Sequence, residues 1–151
     1  MTLTKLCSIA ENENILLATN TSSSKISTII NIENVWLIDT NPTKISTENQ
    51  EKQCLAHELG HYFTGAVYNE TTTPIQRARC EYRANKWTVN VLVPARALRK
   101  ALESGITEVW DLAEYFDVSE ETIHRAFYLY ERQGIILTRQ QHLLFSLDEV
   151  K

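Results

Sequence analysis

Apolar positions at Leu3, Leu6, Cys7 and Ala10 recur at helical spacing and predict a short helix over residues 3–12. ILLA (15–18) reads as a strand and TNTSSSK (19–25) as a polar loop. KISTIINI and VWLID predict two further strands, joined as a hairpin at Glu33-Asn34, and Asn41-Pro42 ends the sheet. Ser46 and Thr47, followed by Asn49 and Gln50, offer an N-cap for a helix running to about Thr64. TTTP (71–74) opens a second long helix with Pro74 at its first position, and Val93-Pro94 closes it. From there the chain reads as helical to Gly134, and the tail IILTRQQHLLFSL is ambiguous between helix and strand.

Composition narrows the class. A chain of 151 residues with 43% hydrophobic and 23% charged positions, four glycines and three prolines belongs with soluble globular proteins and can bury a real core. Apolar runs such as ILLA and NVWLI are too short to cross a bilayer. The start, MTLTKLCSIAENEN, has one lysine and acidic residues where a secretory signal needs a basic start and an apolar core, so the expectation is a cytoplasmic protein without a membrane partner. Three cysteines with no CxxC spacing indicate neither a disulfide framework nor a cysteine zinc cluster. The net charge of −4 is uneven along the chain. Residues 75–100 carry seven basic side chains against Glu81 alone, a net of +6, whereas residues 107–133 carry seven acidic ones against Arg125 and Arg132, a net of −5. Solvated helix faces account for such blocks; two subdomains that face each other, or a basic strip for an acidic partner, are the sharper alternatives.

Chemistry enters at residues 54–65, CLAHELGHYFTG. At 3.6 residues per turn His57 and His61 stand on one helix face, where two imidazoles can chelate a single ion. Glu58 lies on the adjacent flank, placed to exchange a proton with water at the metal without being a ligand. Leu55, Leu59 and Tyr62 form the side that packs inward. Gly60 costs about 1 kcal/mol against alanine in a helix interior, which asks for another chain segment passing close by. A shuffled chain of this composition would carry HExxH roughly one time in a hundred. A core helix with two histidines is therefore the competing explanation, and a third ligand discriminates. Hydrolytic zinc sites use three protein ligands and an open position. Glu81, an isolated acid in a basic helix, lies in line with Ala78, Asn85 and Thr88, and completes a set that suits zinc. Glu70 and Cys80 are its rivals.

The runs ENQEKQCLAHELGHYF, CEYRANKWTVNVLVP and ITEVWDLAEYFDVSEETIHRAFYLYER together resemble the ImmA/IrrE family of metallopeptidases over roughly residues 45–133. The resemblance implies metal ligands at His57, His61 and Glu81 and a catalytic glutamate at Glu58, with Zn2+ as cofactor. It implies an α+β, zincin-like fold: a small antiparallel or mixed three-stranded sheet packed on the metal-binding helix, then a mainly helical C-terminal part. The corresponding division is a peptidase core at 1–94 and a helical subdomain at 95–151. The implied activity is that of an endopeptidase cleaving a protein substrate, in this family a helix-turn-helix transcriptional repressor of a phage or mobile element. Oxyanion or substrate contacts are open to Tyr62, Tyr68, Tyr82 and His124, and the strands before the metal helix are the place for a substrate to add as an extra strand.

ITEVWDLAEYFDVSEETIHRAF also has a helix-turn-helix rhythm, with Ser119 as the cap of its second helix. That helix opens with Glu120 and Glu121 where DNA phosphates would have to sit, so a structural role is expected and DNA binding is not. The competing functions are a non-catalytic binding module on a zincin fold and a DNA-binding regulator using the C-terminal helices. A pure binder has no need for Glu58.

Overall fold

The computed structural model describes residues 1–135 and 137. The chain divides into two compact units, Met1–Leu92 and Val93–Lys151.

In the first unit, helix α1 (Leu3–Asn12) is capped by Thr2, whose side chain accepts from the Lys5 amide, and buries Leu6 and Ala10. Strand β1 (Ile15–Thr19) follows a left-handed residue, Asn14. Strands β2 (Ser27–Ile32) and β3 (Val35–Thr40) form the expected hairpin. Glu33 and Asn34 both have positive φ, 52° and 67°, which matches the twist of a tight two-residue turn. β1 pairs in parallel with β3, giving the mixed sheet order β1-β3-β2 with β3 central and β2 at an edge. Ile15, Ile29 and Ile38 are buried on the inner face. Buried Asn41 ties the sheet's end to the polar loop: its amide donates to the Thr21 and Ser23 carbonyls and its oxygen accepts from the Thr43 amide.

Helix α2 (Glu48–Thr64) is capped by Thr47 through the Gln50 amide, while the Gln50 side chain accepts from the Ser46 amide. It stops at Gly65, where φ is +58° and the Ala66 amide reaches back to the His61 carbonyl. Helix α3 (Pro74–Leu92) opens with a reciprocal capping box: Thr73 Oγ1 accepts from the Gln76 amide and Gln76 Oε1 accepts from the Thr73 amide. α2 and α3 approach closely along small residues. A Cβ on Gly60 would lie 2.6 Å from the Ala84 carbonyl oxygen, so the costly glycine is explained by the backbone of α3. One turn on, the buried Thr88 hydroxyl bonds the carbonyls of Ala84 and Ala56, at 2.9 and 3.3 Å.

The second unit contains α4 (Ala95–Glu103), α5 (Val109–Phe116) and α6 (Glu120–Arg132). α5 ends at Asp117, which takes the left-handed conformation, and Ser119 caps α6 by accepting from the Thr122 amide. Leu98, Leu112, Ile123, Ala126, Leu129 and Tyr130 are buried, and the Tyr130 hydroxyl donates to the Val93 carbonyl at 2.7 Å. Apart from Ile135 and Leu137, the ambiguous tail lies outside the described residues. The fold is α+β: a three-stranded mixed sheet and six α-helices among the described residues, more than half of which are helical.

Candidate metal centre

His57 and His61 sit one turn apart near the C-terminal end of α2, and Glu81 faces them from α3. Their Nε2 atoms are 3.1 Å apart, with Glu81 Oε2 at 3.3 Å from His57 and Oε1 at 3.4 Å from His61. Among the described residues this is the group of three potential ligands that converges, with one donor atom from each within 4.8 Å of the others. Glu70 is exposed in the turn before α3 and Cys80 is half-buried, and neither belongs to the group.

The hydrogen bonds around the group state what it needs. His61 Nδ1 lies 2.9 Å from the Ala66 carbonyl, which can only accept, so Nδ1 carries the proton and the neutral ring turns a bare Nε2 inward. The left-handed Gly65 cap is what brings that carbonyl back. With His61 Nε2 bare, its approach to the Glu81 carboxylate calls for a cation between them, either a proton or a metal ion. Burial pulls His61 down, but the Glu81 carboxylate and the Ala66 carbonyl outweigh it and raise its pKa above 6.5. Glu81 is held well below the usual carboxylate range by His57 first and His61 next, against burial. The Tyr68 hydroxyl donates to Glu81 Oε1 at 2.6 Å and its ring meets the His61 ring edge-on. Burial and that carboxylate push Tyr68 up to about 12, so it stays a donor. Arg77 lies over the other part of this arrangement, 5.0 Å from the Tyr68 ring centre.

Glu58 is buried at 5% exposure and its Oε1 accepts from Ser27 Oγ at 2.7 Å. Of the other candidates, Tyr62 directs its hydroxyl to Glu13 Oε2 at 3.1 Å and packs edge-on against Trp36. Tyr82 lies on α3 with 42% exposure, and His124 is an exposed residue of α6 in the second unit. Sequence reasoning weighed Tyr68 only as an oxyanion donor and did not reach its bond to Glu81; the one signal was an aromatic three residues beyond a helix-stopping glycine. Ser27 was missed altogether, and nothing in its local sequence marks it.

The donor set fits a divalent ion, since two imidazoles and a carboxylate are the ligands of His₂Glu hydrolytic sites. No described helix is long and apolar enough to cross a membrane. Comparison with curated proteins and with solved structures gives no match. The sequence profile of the M78 peptidases, described as an IrrE N-terminal-like domain, matches residues 41–128, a span that holds all three converging side chains and Glu58 and covers more than half of the chain. The chain belongs to the ImmA/IrrE family of metallopeptidases.

Proposed function

We propose that this protein is a cytoplasmic, zinc-dependent endopeptidase that hydrolyses a peptide bond in a helix-turn-helix transcriptional repressor of a phage or mobile element. Membership of a peptidase family implies a protein substrate; the repressor is the narrower reading, taken from the family resemblance. The observation that carries the proposal is the convergence of His57, His61 and Glu81 beside a buried glutamate that follows His57 in the chain.

His57, His61 and Glu81 would hold the ion, which when bound supplies a Lewis acid that polarises the scissile carbonyl and acidifies water. The chain's own residues do the rest. The Ala66 carbonyl fixes the His61 tautomer and Tyr68 steadies the Glu81 carboxylate. Glu58 takes a proton from the attacking water and passes it to the leaving amine. β2 is an edge strand, so an extended substrate can add to it by main-chain hydrogen bonds next to Glu58. Residues 1–94 are the peptidase core in this reading, and the helices of 95–151 are structural.

The test is Glu58→Gln. The amide cannot act as a base, and loss of a positioned general base costs typically 10²–10⁴-fold. The variant should fold, keep its zinc and bind a repressor without cutting it. Wild-type cleavage by Glu58→Gln would reject the mechanism, and loss of zinc would make Glu58 a ligand.

A further inference from the structure

Glu58 reaches its position through a partner that lies 31 residues earlier in the chain. Ser27 is the first residue of β2, half-buried, and its hydroxyl donates to Glu58 Oε1 at 2.7 Å. That is a short O–H···O bond to a carboxylate oxygen. A serine has one proton to give and two lone pairs. Here that proton is committed to the Glu58 carboxylate.

We infer that Ser27 is a positioning residue for Glu58: its hydroxyl anchors Oε1 and leaves Oε2 to exchange the proton. This rests on the peptidase reading for its catalytic consequence. A glutamate has three side-chain torsions, and a base works only when its oxygen is held within hydrogen-bond reach of the proton it takes. Helix geometry fixes the Cα and Cβ of Glu58, and the bond from the sheet fixes the far end. Because Ser27 belongs to the edge strand, the strand that would receive substrate is also the strand that holds the base.

The test compares Ser27→Ala and Ser27→Thr in the zinc-loaded full chain, with fluorescein-labelled casein as substrate. Ser27→Ala should lower kcat on the order of 10-fold, in the range seen for lost outer partners, with KM and zinc affinity unchanged. Ser27→Thr keeps the hydroxyl at a position where threonine suits a strand, and should restore kcat. A merely structural serine would move the melting temperature and leave this kcat split absent. A second readout needs no turnover: with carboxyl-13C glutamate incorporated, the Glu58 resonance, identified by its loss in Glu58→Gln, should move in Ser27→Ala and return in Ser27→Thr. An unmoved resonance, or wild-type kcat in Ser27→Ala, overturns the proposal. Absence of casein cleavage by the wild type leaves the resonance to decide: a shift in Ser27→Ala that returns in Ser27→Thr upholds Ser27 as the anchor of Glu58, and the peptidase reading is then judged on a repressor substrate.

Discussion

Replacing Gly60 by alanine sets two magnitudes against each other. Helix propensity alone favours alanine by about 1 kcal/mol in a helix interior. The structure opposes it: the new Cβ would meet the Ala84 carbonyl oxygen at 2.6 Å and the Ala84 carbonyl carbon and Cα at 3.2 Å. Carbon contacts are most favourable near 3.5–4.0 Å, so α2 and α3 must part by several tenths of an ångström. The obstacle is helix backbone, which cannot rotate away as a side chain would. Overpacking of this kind costs about 1–3 kcal/mol, and the upper half of that range leaves a net loss of about 1–2 kcal/mol after the propensity gain. At about 2–4 °C per kcal/mol for a chain of this size, the melting temperature should fall by about 2–8 °C. Glu81 lies one turn from Ala84 on α3, so the same displacement draws it from His57 and His61. Zinc affinity should drop by about 10-fold or more. Thermal melts of metal-stripped protein and a zinc competition titration check both. A Gly60→Ala protein that melts at or above the wild-type temperature would refute the packing argument, because that is what propensity alone produces.

Two further outcomes follow from the hydrogen bonds at the centre. Tyr68→Phe removes the donor to Glu81 Oε1 and should weaken zinc binding by about 10-fold in a competition titration, with the fold intact by circular dichroism. The pH dependence of stability should reverse on metal loading. In metal-free protein the raised His61 contributes stability that is full below 6.5 and lost as pH rises through its folded pKa, while the lowered Glu81 contributes stability present above 4.5 and lost as pH falls. The cluster therefore stabilises the metal-free chain most between those values. Zinc has to displace the proton that His61 holds at low pH, so the rise in melting temperature on adding zinc should grow from pH 5.5 to pH 7.5; a rise that is larger at pH 5.5 would contradict His61 as a ligand.

What could be read from the chain alone was whatever is carried by short-range spacing. The helix capped at Thr47 and stopped at Gly65, the Pro74 start, the Glu33-Asn34 hairpin and the His57–His61 face all follow from periods and caps within a few residues. Glu81 was legible for another reason: one acid in a basic helix needs a partner, and it has two imidazoles. The cost of Gly60 announced a close approach, although not that the Ala84 carbonyl makes it. The parallel pairing of β1 with β3, and the bonds Ser27–Glu58 and Tyr68–Glu81, join residues 13 to 31 positions apart or strands separated by a third. Such contacts depend on how the layers pack, and no local pattern encodes them. Tyr62 shows the same limit from the other side: it was open as an oxyanion or substrate contact, and its hydroxyl donates to Glu13 instead.

The central claim is that His57, His61 and Glu81 form one metal site, and calorimetric titration of zinc into the metal-stripped chain, beside Glu81→Ala, tests it most directly. The wild type should bind one ion per chain. Glu81→Ala should lose more affinity than the roughly 10–100-fold typical of removing an outer partner. A wild type that takes up no zinc, or a Glu81→Ala variant that binds it as tightly as the wild type, would contradict the assignment.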